Sequence, residues 1–190
     1  MLSLNQVART WWAETIHSET NASRRLRVLV GRGLVSRLRM NLRPELELHE
    51  PVARWQVGDK PPAFGEVAYR LQQRWVDALQ PTTVYVATPR ARREFGGPKR
   101  RFRSHQASHD LHVSSVYLLA CLERPELAEH WVGEDAFAPL VRHTKVPDAV
   151  IRDGNGRTNL VIEFGAGYDK KRVTLFHQDC SERKLAYEIW

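Results

Sequence analysis

The segment KVPDAVIRDGNGRTNLVIEFGAGYDKKR, residues 145–172, constrains the fold more than any other part of the chain. Two short runs rich in apolar and β-branched residues flank the turn sequence DGNG at residues 153–156, a combination typical of a β-hairpin. Both faces of the predicted strands are apolar, as expected of central strands covered by helices. Each strand nevertheless carries one acid, Asp148 in the first and Glu163 in the second.

The two acids share one face of the predicted hairpin in two alternative registers. Side chains alternate between the faces of a strand, and directly opposed residues lie on the same face. Pairing of Arg152 with Arg157 makes the acids diagonal neighbours, whereas pairing of Asp153 with Thr158 places them directly opposite each other. A slip by one residue separates them.

Two carboxylates in an apolar setting repel each other and lose solvation, at a typical cost of several kcal/mol for each buried ion. A hard divalent cation with oxygen ligands compensates such a pair. A cation of the chain compensates it as well, and Arg142, Lys145 and Lys170 are the candidates. The sequence leaves both alternatives open.

Predicted elements on either side complete an α-β-β-β-α-β order over residues 105–190. Leu111, Ser115 and Leu118 have the spacing of one helical face. The short stretch WVGE is a predicted strand before the hairpin. The segment YDKKRVTLFHQDCSERKL is a predicted helix after it, and AYEIW is a last strand.

This order, with Pro147-Asp148 before one strand and Glu163 in the next, resembles the PD-(D/E)xK nuclease superfamily. The resemblance implies a restriction-endonuclease-like domain in which Asp148 and Glu163 hold Mg²⁺ or Mn²⁺. The metal would activate a water molecule and stabilise charge that develops on the scissile phosphate. The superfamily often adds an upstream acid, for which Glu134 is the first candidate and Asp110 the second.

One departure from the superfamily motif concerns its lysine. Gly165 stands two residues after Glu163, where the motif has lysine. Lys170 and Lys171 follow at the start of the predicted helix, and the superfamily sometimes moves its lysine there. The resemblance therefore implies Asp148, Glu163 and Lys170 as catalytic residues, with Lys170 as the assisting base or charge stabiliser.

The N-terminal part, residues 1–58, shows a second pattern. Apolar residues at helical spacing predict helices at residues 4–11 and 20–30, the second ending at Gly31 or Gly33. The stretch LVSRLRM alternates like a strand, and LELHEPVARW is predicted to return as its hairpin partner. Helix, turn, basic helix and hairpin together resemble the winged helix-turn-helix domains of bacterial DNA-binding proteins, without their usual first helix.

The resemblance implies that the second helix enters the major groove of double-stranded DNA. The helix arginines are predicted to lie mostly away from the apolar stripe. The residues expected to contact bases or phosphates are Ser23, Arg24, Arg25 and Arg27 on the helix and Arg37, Arg39 and Arg43 on the wing. A small helical domain with solvated arginines, or a protein-docking winged fold, is the alternative.

Residues 59–104 form a predicted connector with one helix, one strand and a basic loop. The loop reads PRARREFGGPKRRFRSH and has seven basic residues and one acid between Arg90 and Arg103. Such a loop suits contacts along a phosphate backbone, which position a protein without selecting sequence. The residues expected to make these contacts are Lys99, Arg100, Arg101 and Arg103. A solvated charge run is the alternative.

The charge of the chain is divided unevenly. Residues 1–110 carry 19 Lys and Arg against 10 Asp and Glu, whereas residues 111–190 carry 10 against 12. The basic half favours a polyanionic partner. No run of 18 apolar residues and no signal-peptide pattern is present, which predicts a cytoplasmic bacterial protein without a membrane partner.

The segments HDLHVSSVYL, HWVGE, VPDAVI and VIEFGAGYD behind a winged helix are similar to the replication-relaxation proteins of bacterial plasmids and mobile elements. This resemblance implies a role in replication or mobilisation of DNA. The first hypothesis is a Mg²⁺-dependent DNA endonuclease, and the second is a non-catalytic DNA-binding regulator or accessory protein with a vestigial nuclease fold. An interaction module that touches no DNA is a third hypothesis. A protein partner or a homodimer is a further expectation.

Overall fold

The computed structural model describes residues 1–97, 102–137 and 146–190. These residues form a mixed α+β protein with two β-sheets. In chain order the elements are β1 (Leu2–Ser3), α1 (Leu4–Trp11), α2 (Ser18–Gly31), β2 (Val35–Leu42), β3 (Ala53–Trp55), α3 (Phe64–Gln73), β4 (Gln80–Ala87), α4 (Pro89–Phe95), a 3-10 turn (Ser104–Gln106), α5 (Ala107–Glu123), α6 (Pro125–Ala128), β5 (Trp131–Gly133), α7 (Glu134–Phe137), β6 (Ala149–Arg152), β7 (Thr158–Glu163), α8 (Lys170–Glu182) and β8 (Ala186–Ile189).

The chain divides into two compact units, and each is built from two separate segments. The N-terminal unit consists of Met1–Glu45 and Ala78–Leu118, and the C-terminal unit consists of Leu46–Asp77 and Leu119–Trp190. The sequence predicts three consecutive domains instead, because pattern analysis along the chain does not show which distant segments pack together.

The N-terminal unit contains a three-stranded antiparallel sheet in the order β1-β4-β2. The long partner of β2 is β4, from Val35 opposite Ala87 to Leu42 opposite Gln80. The prediction that LELHEPVARW returns beside β2 is therefore wrong, since its end forms β3, which pairs with β8 in the other sheet. The β-branched and aromatic run in β4 fits the full ladder of β2 better than the proline-interrupted LELHEPVARW.

Local sequence signals account for the helices of this unit. Ser3 and Gln6 form a capping box that begins α1, which satisfies two backbone N–H groups at the helix start. The second predicted helix is confirmed as α2. Gly33, just beyond its end, has a φ of 65°, a left-handed conformation that favours glycine.

The first part of the predicted basic loop, Pro89–Phe95, is a helix. Thr88 accepts a hydrogen bond of 3.2 Å from the N–H of Ala91, and Pro89 occupies the first turn of α4. Both features favour helix initiation. The predicted loop contacts Lys99, Arg100 and Arg101 lie outside the described residues. Arg103 is exposed and donates a hydrogen bond of 3.0 Å to Gln106.

Two apolar clusters cover opposite faces of the N-terminal sheet. Val7 and Leu26, from α1 and α2, pack with Tyr85 of β4. Leu111 of α5 packs with Val84 of β4 in the second cluster. Since Val84 and Tyr85 are consecutive strand residues, they point to opposite faces, and the sheet is therefore covered on both sides.

The C-terminal unit contains a five-stranded sheet in the order β3-β8-β7-β6-β5. β5, β6 and β7 form an antiparallel meander, and β8 lies parallel to β7. A parallel neighbour requires a crossover connection, which α8 provides. The predicted order α-β-β-β-α-β is confirmed, with the short helices α6 and α7 inserted.

Helices α3 and α8 contribute to the core on one face of the C-terminal sheet. Leu71 from α3 and Val173 and Phe176 from α8 pack against Val161 and Tyr187 of the central strands. This cover explains why the strands are apolar. The same core surrounds Glu163 of β7, because the side chain of Glu163 lies on the same face of the strand as Val161.

Candidate functional site

The acids of the hairpin are brought together as either register predicts. Ala149 pairs with Ile162, so the ladder continued by one residue places Asp148 opposite Glu163. This pairing corresponds to the register in which the acids are directly opposed. An irregularity between Ile151 and Arg152 shifts the pairing only near the turn.

The turn itself explains why this register is fixed. One carboxylate oxygen of Asp153 accepts hydrogen bonds from the N–H groups of Asn155 and Arg157, at 2.9 and 2.8 Å. Gly156 has a φ of 78°, which glycine adopts without steric cost. The DGNG sequence therefore sets the loop geometry, and the loop sets the strand pairing.

Each acid also has a local hydrogen-bond donor. The N–H of Phe164 donates to Asp148 Oδ2 at 2.7 Å, which joins the two strands at the level of the acids. The hydroxyl of Tyr168 donates to Glu163 Oε1. Glu163 is only 3% exposed, so these donors act in a setting of low polarity where hydrogen bonds to a charged group are strong.

The surroundings of Tyr168, which include both acids, raise the pKa of its hydroxyl. Burial is the main cause that raises the pKa of Tyr168 far above its ordinary value. The charge of Glu163, the hydrogen bond to it and the charge of Asp148 raise that pKa further. The hydroxyl therefore remains protonated at all physiological pH values and acts as a donor to Glu163.

Neighbouring side chains fill the space beside Gly165. A Cβ atom on Gly165 would lie 2.8 Å from Leu71 Cδ1 and 2.9 Å from Ile189 Cγ2. Contacts under 3.0 Å require the neighbours to shift. The close approach of α3 and β8 therefore favours glycine at this position.

Lys170 begins α8 directly after Asp169, whose carboxylate caps the helix by accepting a hydrogen bond from Arg172 N–H at 2.8 Å. Its side chain is exposed. Within the described ranges no ion pair connects Lys170 to either acid. Of the other candidate counter-charges, Arg142 and Lys145 lie outside the described residues.

Glu134 and Asp110, the two candidates for a third acid, lie on different helices. Glu134 is the first residue of α7, and its N–H donates to the backbone carbonyl of Asp148 at 2.8 Å. Asp110 lies in the first turn of α5, in the segment of that helix that belongs to the N-terminal unit. Residues 1–97, 102–137 and 146–190 contain no group of three or more His, Cys, Asp or Glu side chains arranged for a metal ion.

The predicted DNA contacts of the N-terminal unit lie on α2 and β2. Arg24, Arg25, Arg27, Arg37 and Arg39 are all exposed. None of the five forms an ion pair with an acid of the described chain. Their positive charges are therefore available to an external anion.

The remaining two predicted contacts are less exposed. Ser23 is half-buried within α2, and Arg43 is half-buried just after β2. The backbone N–H of Arg43 donates to Ser108 Oγ at 3.0 Å, so this residue also connects β2 to α5 within the N-terminal unit.

Arg25 differs from the other α2 arginines. Ala22, Arg25, Leu26 and Leu29 follow the i, i+3, i+4, i+7 spacing of one helical face, and Arg25, Leu26 and Leu29 line a cavity. Arg25 is exposed, as are Arg24 and Arg27, but of these three arginines it alone also lines this cavity.

Tyr168 is the site residue that the sequence predictions omit. It lies in the loop between β7 and α8, five residues after Glu163, and only the path of that loop turns its hydroxyl toward the carboxylate. A tyrosine close to an acid in sequence is a weak signal, since nothing local fixes the direction of a loop side chain.

No helix in the described part of the chain has both the length and the apolar character needed to cross a bilayer. Comparisons with protein-family models, with curated proteins and with solved structures find no match to this chain.

Proposed function

We propose that the chain is a DNA-binding protein whose C-terminal unit holds a divalent metal ion at Asp148 and Glu163 and hydrolyses DNA. The observation that supports this most is the strand register, which places Asp148, just before β6, opposite Glu163 at the end of β7. Glu163 is buried, and its side chain shares the covered face with the core of α3 and α8. Asp148 beside it is half-buried, and positive charge stabilises two neighbouring carboxylates in such a setting.

The donor chemistry of the site fits Mg²⁺. Carboxylate oxygens are the ligands that hard divalent cations prefer, and the continued β6–β7 ladder places the carboxylate-bearing residues Asp148 and Glu163 opposite each other. When bound, the metal would lower the pKa of a water molecule and stabilise charge on a phosphate. The chain itself orients the ligands, through Phe164 N–H to Asp148 and Tyr168 OH to Glu163.

We further propose that the N-terminal unit is a winged helix that docks on double-stranded DNA. The helix pair α1–α2 and the sheet order β1-β4-β2 support this assignment, with β2 and β4 as the wing strands. In this arrangement α2 enters the major groove. Arg24 and Arg27 on α2, with Arg37 and Arg39 on β2, supply phosphate contacts.

A second function is favoured by the packing around Gly165. Gly165 stands where the resembled motif has lysine, and within the described residues the exposed Lys170 forms no ion pair with either acid, so neither position supplies a cation to the reacting water or the leaving oxygen. The alternative is a DNA-binding regulator or accessory protein in a replication or mobilisation system, whose C-terminal unit has kept the nuclease-like fold without the reaction.

Cleavage assays with the full chain distinguish the two functions. Supercoiled, linear and branched DNA are incubated with Mg²⁺ or Mn²⁺, and products are separated on gels. We expect wild-type protein to nick or cut at least one substrate, and Asp148→Asn and Glu163→Gln to abolish the reaction. Glu182→Gln, an exposed acid of α8, is the matched control and keeps full activity.

Tyr168→Phe removes only the hydroxyl that donates to Glu163. Loss of such a supporting hydrogen bond typically lowers metal affinity about 10–100-fold, and a higher Mg²⁺ concentration should restore cleavage. Cleavage that survives both acid substitutions contradicts the proposed site. DNA binding by the wild-type protein without cleavage of any substrate supports the regulator.

A further inference from the structure

A cavity of about 610 Å³ opens in the N-terminal unit between α1, α2 and the sheet. Its volume lies in the range of pockets that bind small molecules, roughly 300–1,000 Å³. The walls are almost entirely apolar or aromatic, with a single charged residue. The lining residues are Met1, Leu2, Val7, Trp11, Trp12, Arg25, Leu26, Leu29, Val35, Tyr85 and Ala87.

The charged residue occupies a position where the helix would otherwise present an apolar side chain. Arg25 falls within the stripe of α2 that includes the buried residues Ala22 and Leu26. It forms no ion pair with any acid of the described residues. A guanidinium presents a planar fork of N–H donors that matches a carboxylate or phosphate group.

We propose that this cavity binds a small amphipathic anion, with an apolar body against the α1, α2 and sheet walls and an acidic head on Arg25. This inference is independent of the proposed DNA-related function, since it depends only on the cavity and its charge. Trp11 is 57% exposed, although it lines an apolar space. An apolar ligand would remove its ring and the neighbouring side chains from water, which stabilises the complex.

The positive charge of Arg25 favours an anionic ligand over a neutral or a cationic one. A neutral apolar molecule would leave the guanidinium without a counter-charge beside a low-polarity ligand. A cationic amphiphile would be repelled. An apolar anion satisfies both the walls and the arginine, which is the common design of a ligand pocket with few polar groups.

Three ligands with the same alkyl chain test the proposal on the full-length protein. Decanoate, decanol and decyltrimethylammonium are titrated below their micelle concentrations, with isothermal calorimetry and tryptophan fluorescence as readouts. We expect decanoate to bind best, decanol about tenfold more weakly or worse because a charge-assisted hydrogen bond is lost, and the cation weakest. Equal affinity for all three contradicts the role of Arg25.

Matched substitutions locate the binding. Arg25→Gln should weaken decanoate about tenfold without changing decanol. Arg27→Gln, a neighbouring residue of α2 that does not line the cavity, should change neither. Ala87→Phe, at an exposed lining position, should block both ligands, and its thermal unfolding shows whether the fold is retained.

Two results would overturn the proposal. The first is decanoate binding that remains unchanged in both Arg25→Gln and folded Ala87→Phe. The second is a self-association, seen by sedimentation, that Ala87→Phe abolishes while the wild-type protein binds no decanoate. In that case the cavity receives a second copy of the chain and not a small anion.

Discussion

Gly165 is a residue whose role depends on packing. Leu71 of α3 and Ile189 of β8 approach so closely that a Cβ atom would lie within 3.0 Å of both. We predict that Gly165→Ala destabilises the protein by about 1–3 kcal/mol, the usual range for overpacking a filled site. Chemical denaturation of the two proteins measures this difference.

Gly154 is a suitable control for that substitution. It lies in the β6–β7 turn with no atom within 4 Å of an added Cβ. Gly154→Ala should therefore change stability by less than about 0.5 kcal/mol, as at ordinary surface sites. A similar loss for both alanine variants would contradict the packing argument, because alanine in place of glycine at an open position with ordinary backbone angles does not by itself destabilise a protein.

The sequence predicts Asp148 and Glu163 as a pair but does not predict what surrounds Gly165. Asp148 lies five residues before Asp153, and Glu163 lies seven residues after Gly156, so the hairpin fixes their relation locally. The contacts of Gly165 come from α3 and from the far end of the chain. Only the folded arrangement brings those residues together, so the sequence does not predict that packing favours glycine at position 165.

At the scale of elements, helices with clear apolar spacing can be predicted from the sequence, whereas α4 and the long-range strand pairing cannot. The apolar spacing and Ser3 cap that define α1 lie within a few residues. β2 instead pairs with β4, and the residues between them contribute β3 and α3 to the other unit. Periodicity shows that a segment is a strand, but it carries little information on which distant strand is its partner.

A second element-scale feature is the ion pair that connects the start of α6 to β8. Arg124 donates two hydrogen bonds to the buried carboxylate of Glu188, at 2.8 and 3.0 Å. We predict that Arg124→Ala destabilises the protein by about 2–4 kcal/mol, since it leaves a buried charge with poorer compensation. Urea denaturation monitored by circular dichroism measures the change.

Arg54 provides the internal control for that prediction. It contacts the same carboxylate at 3.4 Å, but its side chain is 57% exposed. Exposed ion pairs contribute roughly 0–1 kcal/mol, so Arg54→Ala should have little effect. If Arg54→Ala costs as much as Arg124→Ala, the two arginines share the carboxylate equally and the geometric distinction between them is wrong.

At the scale of the whole molecule, the exposed arginines of α2 and β2 and the buried acids lie in different units. The N-terminal segment supplies the arginines of α2 and β2, and these form no ion pair within the described residues. The buried acids Glu163 and Glu188 both belong to the C-terminal unit. The sequence shows the two charge balances, but it does not show which charges are already neutralised inside the protein.

The unneutralised arginines lead to a prediction for the full chain on duplex DNA. Each phosphate neutralised by the protein releases counterions, so the logarithm of the binding constant falls with the logarithm of salt concentration by about 0.9 per contact. The double variant Arg24→Ala, Arg27→Ala should therefore bind more weakly and show a salt dependence reduced by about 2. Fluorescence anisotropy over a range of salt concentrations measures both quantities.

A change in net charge alone would weaken binding as well, and a control is needed that removes the same charge elsewhere. Lys60 and Arg183 are exposed residues of the C-terminal unit, and the double variant Lys60→Ala, Arg183→Ala removes two positive charges there. If α2 contacts phosphates, only the α2 variant changes the salt slope, whereas a long-range effect of charge changes both alike. An unchanged slope in the α2 variant would place the DNA on another surface, because the affinity and its salt dependence must fall together where phosphate contacts are lost.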